Sequence, residues 1–268
     1  SVGEGGVSQL TVWGVDTPSV FGNLFSEYEA TTRTKILYKQ LDERSFAGDI
    51  TEALASNSGP DLVITPSEWI ETNHNKLIPL SATIVPIRTF ETTYVDLASF
   101  AFVEKIVVQN KPIENIWALP LWIDPLFLYW NKDIFNAAGL PNPPKNWSEV
   151  KEYSKKTTVP GPGGGILRSG IALGRSKNIP LFREIFSLIM LQQGTNNEEP
   201  FLTRSEALES TLRFYTDFGN PKMTSSYLWN IALPEPREMF LQGKLAMMLD
   251  FVSYSENLKI RNPHLSFG

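Results

Sequence analysis

In the first 65 residues, segments with the hydrophobic pattern of a strand alternate with segments that have the pattern of a helix. The runs 10–13 and 61–65 are rich in apolar residues, and 35–40 alternates, which is typical of strands. Between these runs, residues 20–28 and 46–56 carry apolar side chains at the spacing of an amphipathic helix. The order β-α-β-α-β predicts a parallel sheet with helices on both faces, which is the α/β class. Ligands of such sheets bind beyond the carboxyl ends of the strands.

The rest of the chain shows a less regular pattern. Residues 66–115 predict irregular structure with helices. Beyond them the pattern predicts a helix over 132–138 closed by Gly139, and a helix capped by Asn146 with Glu149 at capping-box spacing. Further helices are predicted over 180–193, 205–218, 235–242 and 253–261. Strands are predicted over 171–173 and 246–250, and a further strand is predicted to start at 265–267.

One largely apolar run, residues 119–133, encloses the carboxylate of Asp124. Three aromatic rings surround it in sequence: Trp122, Tyr129 and Trp130. Because a buried charge is costly unless it meets a donor, a sugar would suit this run, with hydroxyls for the carboxylate and a C–H face for the rings. The alternative is an ordinary buried strand with Asp124 at a turn before Pro125, since aromatic residues are common in strands and X-Pro favours turns.

Composition narrows the chemistry. The 268 residues allow one large or two moderate domains. The net charge of −5, without basic blocks, argues against a nucleic-acid partner. No cysteine is present, which excludes thiolate metal sites, cysteine nucleophiles and disulfides. His74 and His264 are the only histidines, so metal or triad chemistry has almost no material, and we expect no cofactor.

Further signals concern targeting and enzyme chemistry. No apolar run approaches the roughly 18 residues of a membrane span. Residues 1–8 are polar and glycine-rich, which predicts a flexible leader or the remnant of a processed precursor. The glycine run 161–165 lacks the Lys-Ser/Thr pair of a phosphate loop. Glycosidase chemistry needs two carboxylates facing across a cleft, and the sequence does not demonstrate such a pair.

Several segments occur in an order and spacing that resemble a known family. They are the strand 10–14, Gly59-Pro60-Asp61-Leu62-Val63, 118–121 with 128–135, 138–141 with 144–147, and 240–248. With these segments the chain resembles an extracellular solute-binding protein of an ABC importer, in the sugar-binding group that includes maltose-binding protein. The resemblance implies a type II periplasmic-binding-protein-like α/β fold, in which two α/β lobes joined by a hinge close on a ligand.

The resemblance also implies a division of the chain. Residues 9–118 correspond to the first segment of the N-terminal lobe, 119–125 to a hinge crossing, and 126–268 to an incomplete second lobe. Family members run on past the point that matches Phe267, so we expect a chain whose C-terminal part is missing. Residues 265–267 would then leave an unpaired apolar edge in the sheet.

The family's ligand loops map onto fourteen positions. In the first lobe and the crossing these are Trp13, Asp16, Ser67, Glu68, Trp69, Trp122 and Asp124; in the second lobe they are Arg175, Ser176, Lys177, Asn178, Trp229, Ser253 and Tyr254. Structural alternatives stay open: Trp13 and Trp69 as core residues, Asp16 as a helix cap, Trp122 on the opposite face of a strand, 175–178 as a solvated loop, and Trp229 as a buried anchor.

The function implied is that of a non-enzymatic receptor outside the cytoplasm, in the periplasm or on the outer face of the cytoplasmic membrane. It would capture a sugar or oligosaccharide as a monomer, deliver it to the permease subunits of an ABC transporter, and contact the membrane only through a lipid anchor. Ligand would shift an open–closed equilibrium by hinge motion. The alternatives are a carbohydrate-active enzyme and a receptor for peptides or other small polar solutes.

Overall fold

The chain forms two compact units, Ser1–Trp122 and Ile123–Gly268. The computed structural model describes residues 8–108, 111–193, 206–223 and 227–268. Except for Ser8, the leader predicted over residues 1–8 lies outside these ranges. Among the described residues, no helix combines the length and the apolar character that crossing a membrane requires.

The first unit contains a parallel sheet of three strands in the order β2-β1-β3. Its elements are β1 (Ser8–Gly14), α1 (Pro18–Thr32), β2 (Thr34–Gln40), α2 (Phe46–Ala55), β3 (Leu62–Val63), α3 (Ser67–Asn73), α4 (Ile87–Thr93), α5 (Asp96–Phe102), β4 (Val103–Val108) and β5 (Lys111–Ile116). Strands β1 and β2 pair from Ser8↔Thr34 to Gly14↔Gln40. The predicted β-α-β-α-β order is therefore confirmed for this unit.

A hairpin replaces part of the irregular region predicted over 66–115. Strands β4 and β5 pair antiparallel from Val103↔Ile116 to Val108↔Lys111, so the prediction is wrong there. Proline at position 112 is compatible with β5, because a two-stranded sheet has only edge strands, and these tolerate proline. Ile116 is buried with Phe90 of α4 and Ala98 of α5, so packing against the two helices holds the hairpin.

The second unit contains a mixed sheet in the order β6-β9-β8-β7. Its elements are β6 (Leu126–Trp130), α6 (Lys132–Ala137), α7 (Trp147–Thr157), β7 (Val159–Pro160), β8 (Ile166–Ile171), α8 (Phe182–Gln192), α9 (Glu206–Asp217), α10 (Pro236–Leu241), β9 (Leu245–Phe251) and α11 (Tyr254–Arg261). Strand β9 runs parallel to β8 and antiparallel to β6. Its residues 245–250 are all buried, as expected for a central strand covered on both faces.

In the second unit, one local prediction is confirmed and another is wrong in its position along the chain. The cap of α7 is confirmed, because Asn146 Oδ1 accepts from Glu149 N at 2.9 Å and the Glu149 carboxylate accepts from Asn146 Nδ2 at 3.2 Å. The strand predicted over 171–173 is displaced, since β8 is Ile166–Ile171. Gly170 lies inside β8, where a Cβ atom would approach Ser154 O of α7 to 2.0 Å.

Residues 265–267 do not begin a strand with an open apolar edge, so that expectation is wrong. Phe267 forms a single antiparallel bridge with Asn131, and Lys132 N donates to Ser266 O at 2.9 Å. The ring of Phe267 lies 6.0 Å from that of Tyr129. The segment is therefore paired by backbone hydrogen bonds and packed on the core of the second unit.

The run 119–133 is not a continuous buried strand. Leu119, Leu121 and Ile123 are exposed, and β6 begins only at Leu126. Tyr129 is buried, and its hydroxyl donates to Phe251 O at 2.8 Å and Val252 O at 3.0 Å. The expectation that the run buries Asp124 among three rings is thus wrong, because the side chain is only half-buried and meets its hydrogen-bond donor elsewhere.

Candidate functional site

The carboxyl ends of β1 and β2 bring Asp16 and Tyr38 together in the first unit. The Tyr38 hydroxyl donates to the Asp16 backbone carbonyl at 2.8 Å. Burial raises the pKa of Tyr38, and the negative charge of Asp16 raises it further. Thr17, not Asp16, occupies the N-cap position of α1. The half-buried Asp16 carboxylate accepts no hydrogen bond from the described residues, and its role in ligand binding stays a prediction.

An aromatic platform is formed by Phe21, Tyr38 and Trp122, of which Tyr38 contacts the Asp16 backbone. The ring centroids of Phe21 and Tyr38 are 5.7 Å apart, and those of Phe21 and Trp122 are 6.2 Å apart with an interplanar angle of 22°. Trp122 is 57% exposed. One face of its indole therefore rests on Phe21, and much of the remaining surface is open to solvent.

The other predicted residues of the first unit divide into core and surface. Trp69 is buried, with its ring edge-on to Phe46 at 5.9 Å, and Trp13 packs against the same cluster. Lys39 Nζ lies 4.0 Å from the Trp13 ring centroid. Trp13 and Trp69 are thus core residues, which was the structural alternative to ligand binding for both. Ser67 and Glu68 are exposed in the first turn of α3.

The second unit gathers its predicted residues at one edge of its sheet. Strands β8 and β9 are parallel and end there, and the antiparallel β6 begins there, with Leu126 opposite Phe251. Asp124 consequently meets Ser253. Asp124 Oδ1 accepts from Ser253 N at 3.0 Å, and Oδ2 accepts from Ser253 Oγ at 2.6 Å. The role of Asp124 in ligand binding stays a prediction, because Ser253 already engages both carboxylate oxygens.

Asn178 joins the loop after β8 to the segment that contains Trp229. Its Nδ2 donates to Asn230 O and Leu233 O, both at 2.9 Å, and its Oδ1 accepts from Trp229 Nε1 at 3.2 Å. Trp229 is fully buried. Both side chains therefore make hydrogen bonds within the protein. Trp229 is a buried anchor, which was its structural alternative to ligand binding.

The remaining residues of this loop differ in exposure. Arg175 Nη2 donates to Gly219 O at 2.5 Å, and the Arg175 carbonyl accepts from Tyr215 Oη at 2.8 Å. Burial raises the pKa of Tyr215, so its phenol stays protonated. Ser176 and Lys177 are exposed. In this loop they are the predicted residues whose side chains face solvent.

Two residues at this edge were not predicted to be site residues: Arg237 and Asp250. Asp250, at the end of β9, is 2% exposed, and its Oδ2 and Oδ1 accept from Arg237 Nε and Nη2, both at 2.7 Å. Arg237 Cζ lies 4.3 Å from the ring centroid of Tyr254, which is itself buried. An aspartate that ends an otherwise apolar strand was the available signal, since a buried carboxylate requires a cationic partner.

The described ranges contain no group of three or more His, Asp or Glu side chains that could hold a metal ion. Both edges offer instead hydroxyl, carboxylate and cationic side chains next to aromatic rings. Such sets orient small polar ligands by hydrogen bonds and apolar contact.

Comparison with known proteins establishes the family. Residues 14–266 match the family model for bacterial extracellular solute-binding proteins. The chain belongs to this family. Its described members and neighbours are binding proteins.

Two curated relatives match parts of this solute-binding protein. A Brucella abortus (strain 2308) protein named as a binding protein is 26% identical over 171 residues, which cover 62% of this chain and 40% of the relative. The sn-glycerol-3-phosphate-binding periplasmic protein of Agrobacterium fabrum (strain C58) is 41% identical over 58 residues, covering 21% of this chain and 13% of that protein. The matched segments thus span less than half of either relative.

Solved structures show the same fold. The cyclic α-maltosyl-1,6-maltose binding protein from Arthrobacter globiformis superposes with a TM-score of 0.72 at 18% sequence identity. The match covers 98% of this chain and 65% of the Arthrobacter chain. The predicted fold, that of type II periplasmic binding proteins, is therefore confirmed.

Proposed function

We propose that this solute-binding protein captures a neutral sugar or oligosaccharide outside the cytoplasm and delivers it unchanged to the permease of an ABC transporter. The observation that carries the proposal is the aromatic platform of the first unit. The exposed face of Trp122 would offer apolar contact for the C–H face of a pyranose. The Asp16 carboxylate, which follows β1 and whose backbone carbonyl accepts from Tyr38 of the same platform, would accept hydroxyl hydrogen bonds.

Each unit also offers exposed polar residues as candidate ligand contacts. They are Ser67 and Glu68 at the start of α3 in the first unit, and Ser176 and Lys177 after β8 in the second unit. All four follow the carboxyl ends of parallel strands, where ligands of α/β sheets bind. Names of the neighbours support the ligand class, since the Arthrobacter protein is named for binding a cyclic maltosyl sugar.

Isothermal titration tests this proposal, with product analysis of the same mixtures. The probes are maltotriose, mannobiose and cyclic maltosyl-maltose, with sn-glycerol 3-phosphate as the probe suggested by the Agrobacterium relative's name. We expect one-to-one binding of at least one neutral sugar without any product. Hydrolysis of a probe would establish an enzyme instead, and failure of all three neutral sugars to bind would refute the carbohydrate receptor.

Two variants locate the site. Trp122→Ala removes the exposed ring, and we expect it to weaken sugar binding about tenfold or more, since aromatic anchors dominate binding energy. Phe100→Ala is the matched control, because Phe100 is also an exposed aromatic side chain but lies on α5. Equal sugar affinities of the two variants would show that the aromatic platform does not bind the ligand.

A further inference from the structure

Arg237 covers Tyr254, one of the predicted ligand-loop residues. Tyr254 is only 9% exposed, and the Arg237 guanidinium lies over its ring with Cζ 4.3 Å from the centroid. The side chain of Arg237 is 42% exposed. At this point of the edge, the group that a ligand meets is therefore the guanidinium and not the phenol.

The guanidinium is held in one orientation. Asp250 accepts from Nε and Nη2 in the bidentate geometry that orders arginine side chains, and Asp250 Oδ1 also accepts from Phe251 N at 2.8 Å. Hydrogen bonding to Asp250 raises the pKa of Arg237, which keeps the guanidinium charged. Two of the five N–H donors are used in this way. Within the described part of the chain, the other three donate to no acceptor that would compete with a ligand.

The charge around Arg237 disfavours anions. Asp250 neutralises the guanidinium, and Glu235 adds a second carboxylate to the same depression, which Leu181 and Leu249 also line. The three ionised groups sum to one negative charge. A phosphate or carboxylate ligand would approach that negative charge, whereas a neutral polyol would meet oriented N–H donors and the Glu235 acceptor beside an apolar surface.

We propose that Arg237, clamped by Asp250 over Tyr254, is a ligand-contacting residue, and that the Arg237–Asp250–Glu235 cluster selects neutral hydroxyl-bearing ligands over phosphorylated or carboxylated ones. This inference rests on the proposed function, because it assigns ligand-contacting residues and specificity to the same receptor. It adds two residues, Arg237 and Glu235, to the predicted set.

The test measures affinity and stability on the full chain. Wild type is titrated with maltotriose, mannobiose, cyclic maltosyl-maltose and sn-glycerol 3-phosphate, and the tightest neutral sugar is then titrated into Arg237→Gln, Arg237→Lys and Glu235→Gln. We expect both arginine variants to weaken sugar binding about tenfold or more, since hydrogen bonds to charged groups carry that much. Arg237→Lys keeps the positive charge beside Asp250, so it is expected to fold even if Arg237→Gln does not.

Glu235→Gln tests the selectivity. It should bind sn-glycerol 3-phosphate at least threefold tighter than wild type does, or show binding where wild type shows none.

Arg213→Gln is the control, because Arg213 also pairs with a carboxylate, that of Glu209, but lies exposed on α9. It should leave the sugar affinity unchanged. If wild type binds a sugar and Arg237→Lys binds it within twofold while its melting temperature falls, Arg237 is structural and this inference fails while the receptor function stands. Tighter wild-type binding of sn-glycerol 3-phosphate than of every sugar overturns the selectivity, and absence of sugar binding overturns the receptor function and this inference together.

Discussion

Asp124 and Ser253 form a two-point hydrogen-bonded pair across 129 residues of sequence. The carboxylate receives both the backbone N–H and the hydroxyl of Ser253, at 3.0 and 2.6 Å. Val252 N also donates to Pro125 O at 3.0 Å, so the start of β6 and the end of β9 are tied together at this edge. The charge that a ligand hydroxyl was expected to satisfy is thus satisfied by the protein itself.

Removing this carboxylate should therefore affect stability. We expect Asp124→Ala to lower the free energy of unfolding by about 1–3 kcal/mol, because it deletes two charge-assisted hydrogen bonds, and to change sugar affinity less than threefold. Urea unfolding and titration measure the two effects. Ser253→Ala keeps the backbone donor and should cost less, and the double variant should lose less than the sum of the single losses. A tenfold loss of affinity at unchanged stability would instead assign Asp124 to the ligand.

Asp61 makes the first unit sensitive to acid. Its carboxylate accepts from Thr11 N and Thr11 Oγ1, both at 2.8 Å, and these hydrogen bonds lower the pKa of Asp61 below its usual value of 3.8. A folded-state pKa below the unfolded one adds stability above the unfolded pKa, and this stability is lost as the pH falls through the folded pKa. Unfolding followed from pH 7 to pH 3 should therefore show a shallower acid loss in Asp61→Asn.

Glu43→Gln is the matched control, because its exposed carboxylate has no hydrogen-bond partner among the described residues. Its pH profile should follow that of wild type. If Asp61→Asn and wild type lose stability equally as the pH falls, the hydrogen bonds between Asp61 and Thr11 add no pH-dependent stability.

Local patterns predicted what depends on neighbours in sequence. The parallel strands β1, β2 and β3 followed from periodicity, and the cap of α7 followed from the spacing of Asn146 and Glu149. The contacts that define the edge of the second unit are of another kind. Asp124 meets Ser253, and Asn178 meets Trp229, only after the whole sheet has formed. No periodicity reports such pairings, so candidate positions could be predicted while their partners could not.

Asn178 is expected to be a stability residue of the second unit. Asn178→Ala deletes three hydrogen bonds and leaves the indole N–H of the fully buried Trp229 without its acceptor. We expect a loss of about 2–4 kcal/mol in the free energy of unfolding, since buried groups left unpaired cost more than the bond itself. Lys177→Ala, its exposed neighbour, should stay within about 0.5 kcal/mol of wild type in the same urea titration. Similar small effects of both changes would contradict the anchoring role.

Two glycines should respond in opposite directions to the same change. Gly170 lies in β8 where a Cβ atom would approach Ser154 O to 2.0 Å, so Gly170→Ala must displace α7 from the sheet. We expect a loss of about 1–3 kcal/mol, as for other overpacked core sites. Gly48 lies inside α2 with no atom within 4 Å of a built Cβ, so Gly48→Ala should stabilise by about 0.5–1 kcal/mol through a less flexible unfolded chain. Melting temperatures of the two variants measure the contrast, and a Gly170→Ala protein as stable as wild type would show that α7 and β8 have room to separate.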